Sequence, residues 1–284
     1  LYNGVLLPVF SCIVFWAAIF FPKIREGLKG RFQTYKRLKL FLEKKHTRSD
    51  IYWFHAASLG EFYQIKPIIE GMKKIKKENV MFISFSSPSG MNYAFSDAID
   101  LKFYLPFDFP WTIQKVLTLV KPKKVIFATY DIWPNFVWFC KAKNIHLNVM
   151  SAKIGNHSFK YRPVIMNFYK SLYKLFDTIY TITEKDKNRF ERMLGYKVNP
   201  VISALGNPRF DKIFDESKEF IESKPTIKDR EQIILIGSSH SRDDLILFPA
   251  LINLMTDFPE LRIIHAPHEP DHNYIRNIKD TYSK

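Results

Sequence analysis

The sequence predicts an α/β protein with a parallel sheet, organised as two domains. From Ile51 onward, short β-branched and aromatic runs alternate with longer runs whose apolar residues recur at helical spacing. Polar and glycine-containing stretches follow the strand-like runs, at the edge where open parallel sheets bind ligands. The alternation also restarts after a charged stretch, which marks a second unit.

The chain opens with "GVLLPVFSCIVFWAAIFFP", Gly4 to Pro22, which carries no charge and approaches the roughly 20 apolar residues a bilayer requires. Between Lys23 and Arg48 stand ten lysines and arginines against two glutamates, so more than half of the formal +15 is concentrated there. A basic block directly after an apolar one points to an anionic membrane surface rather than to nucleic acid. A cleaved signal peptide would carry its charge before the apolar run, and Phe20-Phe21-Pro22 is a poor cleavage site. A buried or interfacial hairpin broken at Pro8 stands beside the anchor reading. On either membrane reading, the positive-inside rule places the chain beyond Lys23 in the cytoplasm. Leu1 in place of methionine, and the stop at Lys284 within a helix-like run, read as a piece of a longer chain.

Strands are expected at Ile51 to His55, Val80 to Phe85, Lys102 to Leu105, Lys124 to Ala128, His146 to Met150, Thr178 to Ile182 and Pro200 to Ser203. Helices lie between them, for example Glu61 to Lys77, where Phe62, Ile65, Ile68, Ile69, Met72 and Ile75 form one apolar face. The domain plan is an anchor over 1–22, a basic region over 23–50, a first α/β domain over 51–211, a charged linker over 212–230 and the start of a second α/β domain over 231–284. There "QIILIG" (Gln232 to Gly237) and "LRIIHA" (Leu261 to Ala266) read as strands. Hydrophobic content of 46% excludes a disordered chain. Cys12 and Cys140 stand far apart with no C-x-x-C or Cys/His cluster, so neither a disulfide framework nor a zinc site is indicated.

Several clusters could carry chemistry. Glu61 opens a helix, where a carboxylate can cap backbone amides or act as a general base, with Gly60 leaving the backbone open to a substrate. A hydrolase reading of His55 and Ser58 is weaker, because "AASLG" is not a nucleophile elbow. Asp131 and Asn135 in "TYDIWPN" could be helix-start residues or cleft residues. "SSPSG" (Ser86 to Gly90) lacks the Walker lysine. "GSSH" (Gly237 to His240) precedes a helix and suits an anion. His265, His268 and His272 with Glu269 have no convergent spacing, and no D-x-D pair occurs, so no metal is expected.

Taken together, "WFHAASLGE", "FYLPFDFP", "YDIWPN", "SAK", "GNPRFD", "GSSHSRDD" and "APHEP" occur in the order found in the Kdo transferases, and the chain resembles that family. The resemblance covers nearly all of the chain. It implies the GT-B fold of two Rossmann-like domains, an acceptor domain followed by a donor domain, and transfer of 3-deoxy-manno-octulosonic acid (Kdo) from CMP-Kdo to a lipid A precursor with inversion. By the same resemblance Glu61 is the catalytic base, and Asp131 keeps an acidic role at the cleft wall. Ser58, Gly60 and Lys153 would meet the acceptor. Ser238, Ser239, His240, Pro267, His268 and Glu269 would meet the donor. No cofactor or metal is expected, and the partners are CMP-Kdo, the lipid and the cytoplasmic face of the inner membrane, not nucleic acid. The chain departs from the family where E-T-E-L-W-P-N becomes Thr129 to Asn135, losing the first acid and shortening the second. It departs again where P-R-H-P-E-R becomes Pro267 to His272, replacing an arginine by His268.

Overall fold

The computed structural model describes the whole chain except residues 46–48, 130, 155–162, 196–198, 223–231, 269 and 284. Contacts divide it into two compact units, Leu1–Lys218 and Glu219–Lys284.

The first unit is built on a seven-stranded parallel sheet in the order β3-β2-β1-β4-β5-β6-β7. Its strands are β1 (Ile51–Ala56), β2 (Val80–Phe85), β3 (Leu101–Tyr104), β4 (Lys124–Ala128), β5 (His146–Ala152), β6 (Thr178–Thr181) and β7 (Val201–Ala204), none displaced by more than two residues from the sequence expectation. Side chains alternate faces along a strand, so β1 sends Trp53 one way and Phe54 the other, and both are fully buried. Continuous apolar runs such as β2, buried at every position, are what a sheet covered on both faces requires.

One face is covered by α3 (Leu59–Ile75) and α4 (Pro88–Tyr93), with Phe62, Ile65 and Ile69 against Phe54, Ile83 and Phe85. Ile75, expected on that face, is instead 87% exposed in the last turn of α3. The other face packs α5 (Pro110–Val120), α6 (Pro134–Ala142), α7 (Pro163–Tyr173) and α8 (Glu184–Leu194) over Trp53, Phe82, Val125 and Phe127. Trp53 keeps its indole N–H satisfied by donating to Ser84 Oγ at 2.8 Å.

The N-terminal segment forms a π-helical turn, Tyr2–Leu6, continuing into α1 (Leu7–Phe20); extended backbone at Phe21 then leads into α2 (Pro22–Lys44). Tyr2–Phe20 is long and apolar enough to cross a membrane. Pro8 does not interrupt it: the helix runs through at the junction where the π-helical turn passes into α1. α1 and α2 pack against each other, and α2 lies on the sheet domain. The basic stretch is thus an amphipathic helix. Gly27, Thr34 and Leu38 are buried, while Lys23, Arg25, Lys29, Lys36, Arg37, Lys39, Lys44 and Lys45 stay exposed. Thr34 Oγ1 donates to the Tyr104 carbonyl at 2.7 Å, and Arg31 donates to Leu105 O at 2.9 Å.

The close approach of α2 depends on Gly30. A Cβ there would lie 2.0 Å from Tyr104 Cδ2. Gly30→Leu should therefore destabilise the first unit by about 1–3 kcal/mol through overpacking. Gly71→Ala, on a helix position with nothing within 4 Å, should stabilise it by a few tenths up to about 1 kcal/mol. Thermal melts of both variants check this, and equal effects would rule out the contact as the cause.

The sequence places a linker over 212–230, and the boundary between the two units, after Lys218, falls inside it; its first part, however, belongs to a helix, α9 (Pro208–Glu222). Its charged composition conceals Phe210, Ile213 and Phe214 at i, i+3 and i+4, with Asp211 in the favoured first turn. The rest of that stretch, 223–231, lies outside the described residues.

The second unit pairs β8 (Ile233–Ser239) in parallel with β9 (Arg262–Pro267), joined through α10 (Ser241–Asp257) and followed by α11 (His272–Tyr282). This is one β-α-β crossover with a trailing helix.

Candidate active site

In the first unit the strand order changes direction between β1 and β4, and loops from both converge at their carboxyl ends. Glu61 sits there in the first turn of α3 and is 8% exposed. A simple capping role would turn its carboxylate onto the amide of the N-cap, Ser58. Instead Oε2 accepts from the preceding amide, Ala57, and Oε1 accepts from Thr129 Oγ1 at 2.7 Å. The carboxylate thus bridges the two strands flanking the switch point. Burial raises its pKa above the ordinary glutamate value; the Thr129 and Ala57 hydrogen bonds oppose this, and the nearby charge of Asp131 adds to it.

Thr129, which stands where the family pattern has its first acid, is buried with a left-handed φ of 58°. Left-handed backbone is costly for a branched residue, by about 1–2 kcal/mol. Ser151 near the end of β5 (φ 51°) and Ser238 near the end of β8 (φ 63°) share the feature. Strain at three strand ends marks the same edge in both units.

Asp131 is the second acidic group. Its Oδ2 accepts from Ser86 Oγ at 2.7 Å and lies 2.9 Å from His55 Nε2. Desolvation alone would raise its pKa, but hydrogen bonding and charge from His55, with Ser86, hold it down at about 2. His55 is fully buried at the end of β1, and its Nδ1 faces Ser84 O at 3.1 Å and Ser84 Oγ at 3.0 Å. The histidine therefore turns to the buried Ser84 and to Asp131, and forms no nucleophile–base pair with Ser58.

Around this pair, Ser58 is half-buried, Gly60 is exposed and Lys153 is exposed just beyond β5. A Cβ at Gly60 would meet only Ser58 Oγ, at 3.9 Å, so the backbone there lies open to a ligand. Sequence reasoning missed the part played by Asp108 in "PFDFP". Its two oxygens accept from the amides of Asn135 (3.0 Å) and Phe136 (2.9 Å), capping α6 from another loop, and Tyr2 donates to it at 2.8 Å. Burial pushes its carboxyl up to about 6. An aspartate between two phenylalanines near the end of a strand was the available signal, but its partner helix is not deducible from spacing.

In the second unit, the expected donor residues gather where β8 and β9 end. Ser238 Oγ lies 2.7 Å from His268 Nδ1, the His240 and His268 rings are 4.5 Å apart, and His268 N–H donates to Ser239 O at 2.9 Å. Pro267 pairs with Ser239 across the strands. Asp243 accepts from the His240 amide at 2.8 Å, fixing the start of α10. Ser239 Oγ faces inward to His265 Nε2 at 2.7 Å, in a network with Asp244, Tyr274 and Tyr282 that sequence reading did not anticipate. Glu269 lies outside the described residues. Among the described residues no three His, Cys, Asp or Glu side chains converge as a metal site would require.

Among curated proteins the chain is 26% identical over 246 residues to the 3-deoxy-D-manno-octulosonic acid transferase of Aquifex aeolicus, covering 85% of this chain and 60% of that one. It is 23% identical over 279 residues to the enzyme of the same name from Haemophilus influenzae, covering 95% of this chain and 63% of that one. The chain thus spans somewhat under two thirds of these relatives. Among solved structures, the UDP-GlcNAc 2-epimerase of Neisseria meningitidis superposes with a TM-score of 0.54 at 17% identity, over 83% of this chain and 69% of that one. A putative UDP-N-acetylglucosamine 2-epimerase from Listeria monocytogenes gives 0.53 at 13% identity, over 83% and 67%. These likenesses concern the fold alone, and they agree with the GT-B fold class expected from the sequence. The pattern of the 3-deoxy-D-manno-octulosonic-acid transferases (kdotransferases) matches residues 26–212, a span holding Glu61, Thr129 and Asp131, and this chain belongs to that family.

Proposed function

We propose that this protein transfers Kdo from CMP-Kdo to a lipid A precursor, with inversion and with Glu61 as the general base. The observation that carries the reading is the desolvated Glu61 carboxylate, fixed at the sheet's switch point by Thr129 and Ala57. A raised pKa makes it a better proton acceptor near neutrality than an ordinary glutamate. The acceptor hydroxyl oxygen attacks the anomeric carbon, its proton passes to Glu61, and the bond from that carbon to the CMP phosphate oxygen breaks. Ser238, His240 and His268 offer hydroxyl and imidazole donors to the departing phosphate, and Lys153 offers a cation on the acceptor side. No metal enters this scheme, and a chelator should leave the rate unchanged.

Membrane contact follows from the N-terminal helices. Tyr2–Phe20 supplies the apolar element, and the exposed lysines and arginines of α2 supply the attraction to anionic headgroups on the cytoplasmic face of the inner membrane. Neutralising Lys29, Lys36 and Lys39 together should raise the apparent KM for the lipid more than it lowers kcat. An unchanged KM in vesicle assays would contradict the account.

The central test is mass spectrometry of lipid recovered from membranes bearing the full-length protein, supplied with CMP-Kdo and the lipid A precursor. A Kdo-sized gain with wild type and none with Glu61→Ala is the expected result. No gain with folded, membrane-bound wild type rejects this donor and acceptor.

A further inference from the structure

A cavity of about 460 Å³ lies within the first unit, between the α1–α2 pair and the carboxyl edge of the sheet. Its walls are mostly apolar, with Phe10, Val14 and Phe15 from α1, Leu28 from α2, and Phe107 and Trp133 from the sheet loops. Polar groups cluster at one part of it. Arg31 there has its guanidinium 6.0 Å from the Phe107 ring centre and 5.5 Å from that of Trp133. Ser86 also lines the cavity, and its hydroxyl donates to Asp131, so the polar part adjoins the candidate active site. Asp108 lines it too, but its oxygens are taken by Tyr2, Asn135 and Phe136.

We propose that this cavity receives one acyl chain of the lipid acceptor and thereby sets the acceptor sugar against Glu61; the proposal rests on the transferase reading with a lipid as acceptor. A polar small molecule would find few hydrogen-bond partners on these walls, whereas each methylene of a chain gains from leaving water. The cationic Arg31 and Lys23 suit the esters and phosphates that a lipid carries near its chains. The cavity wall formed by α1 is continuous with an apolar outer surface. Phe10, Ile13 and Trp16 are 51%, 58% and 64% exposed, so a chain can pass from lipid to cavity without crossing water. Such a seat also explains why α1, apolar enough for a bilayer, is tied by Tyr2 and Asn3 to Asp108 and Asn135 beside the site.

The test fills the cavity from two walls independently, with Gly27→Leu on α2 and Ser11→Phe on α1. Gly27 has room for a Cβ, its nearest neighbour being Ser86 O at 3.9 Å, and leucine favours the helix. The first readout is quenching of Trp133 fluorescence in the full-length protein by a fatty acid brominated at its chain end, with Trp133→Phe defining that residue's share. Saturable quenching of the Trp133 share, lost in both filled variants, supports the proposal. Quenching that persists in both, or follows only bulk partition into detergent, overturns it. The second readout is kcat/KM for the acylated acceptor divided by that for its deacylated counterpart. The ratio should fall about tenfold or more, the loss of roughly two buried methylenes. Kdo transfer with an unchanged ratio in both variants defeats the cavity assignment and leaves the transferase reading standing. Quenching lost in both variants, in a protein that transfers no Kdo, supports chain binding while defeating the transferase reading.

Discussion

Glu61→Gln should lower kcat by about 10²–10⁴-fold, the range a lost general base produces, while KM for donor and acceptor should stay within about twofold. The glutamine keeps the side chain's length, and its oxygen can accept from the Ala57 amide while its NH2 donates to Thr129 Oγ1, so the loss reports proton transfer rather than a collapsed turn. The pH profile carries the same argument further. Glu61 must be ionised to act, and burial raises its pKa, so the acid limb of kcat/KM lies above the ordinary glutamate value. Thr129→Val removes a hydrogen bond that favours the ionised form but keeps the β-branched shape. Its acid limb therefore moves to higher pH. A limb that stays put in Thr129→Val belongs to another group, and Glu61 would return to being a helix-opening carboxylate.

Much of this fold could be read from residue patterns, because a parallel sheet covered on both faces writes its strands as unbroken apolar runs. β2, "VMFISF", is buried at all positions and could be placed to the residue. α9 was hidden because its apolar repeat is embedded in charge, and composition outweighed spacing in the reading of 212–230. The site was legible in part. The rule that ligands meet the carboxyl ends of strands selects Glu61, Asp131, Ser238 and His268, and all four lie there. Their partners were not legible. That His55 reaches Asp131, 76 residues away, follows from β1 and β4 being neighbours, a fact of topology that no local spacing encodes. Thr129 illustrates the same limit. As a sequence departure it looked like a lost acid, whereas in space it is a hydroxyl that donates to Glu61.

Asp131→Asn should cost about 2 kcal/mol at neutral pH, and the cost should vanish in acid. Burial alone would raise this carboxyl, yet the hydrogen bond and charge of His55, with Ser86, outweigh it and hold the pKa at about 2 against an ordinary 3.8. A carboxylate with a depressed folded-state pKa contributes stability that is complete above its unfolded value. That contribution is lost as pH falls from about 4 towards about 2, with each pKa unit worth about 1.4 kcal/mol. Asparagine can still accept from Ser86 but carries no charge, so the stability gap between wild type and variant should close across that window. Melts of the two proteins from neutral pH downwards measure it, with a shift of about 4–8 °C at neutrality for a unit of this size. A gap of constant size at every pH would mean that Asp131 acts through shape alone. The same variant bears on catalysis with a sign of its own. The charge of Asp131 is one of the causes that raise the Glu61 pKa, so removing it lets Glu61 ionise more readily. The acid limb then moves to lower pH in Asp131→Asn, opposite to its movement in Thr129→Val. Opposed shifts from two neighbours of one carboxylate identify that carboxylate as the titrating group, because no other described acid accepts a hydrogen bond from Thr129 while lying in the field of Asp131.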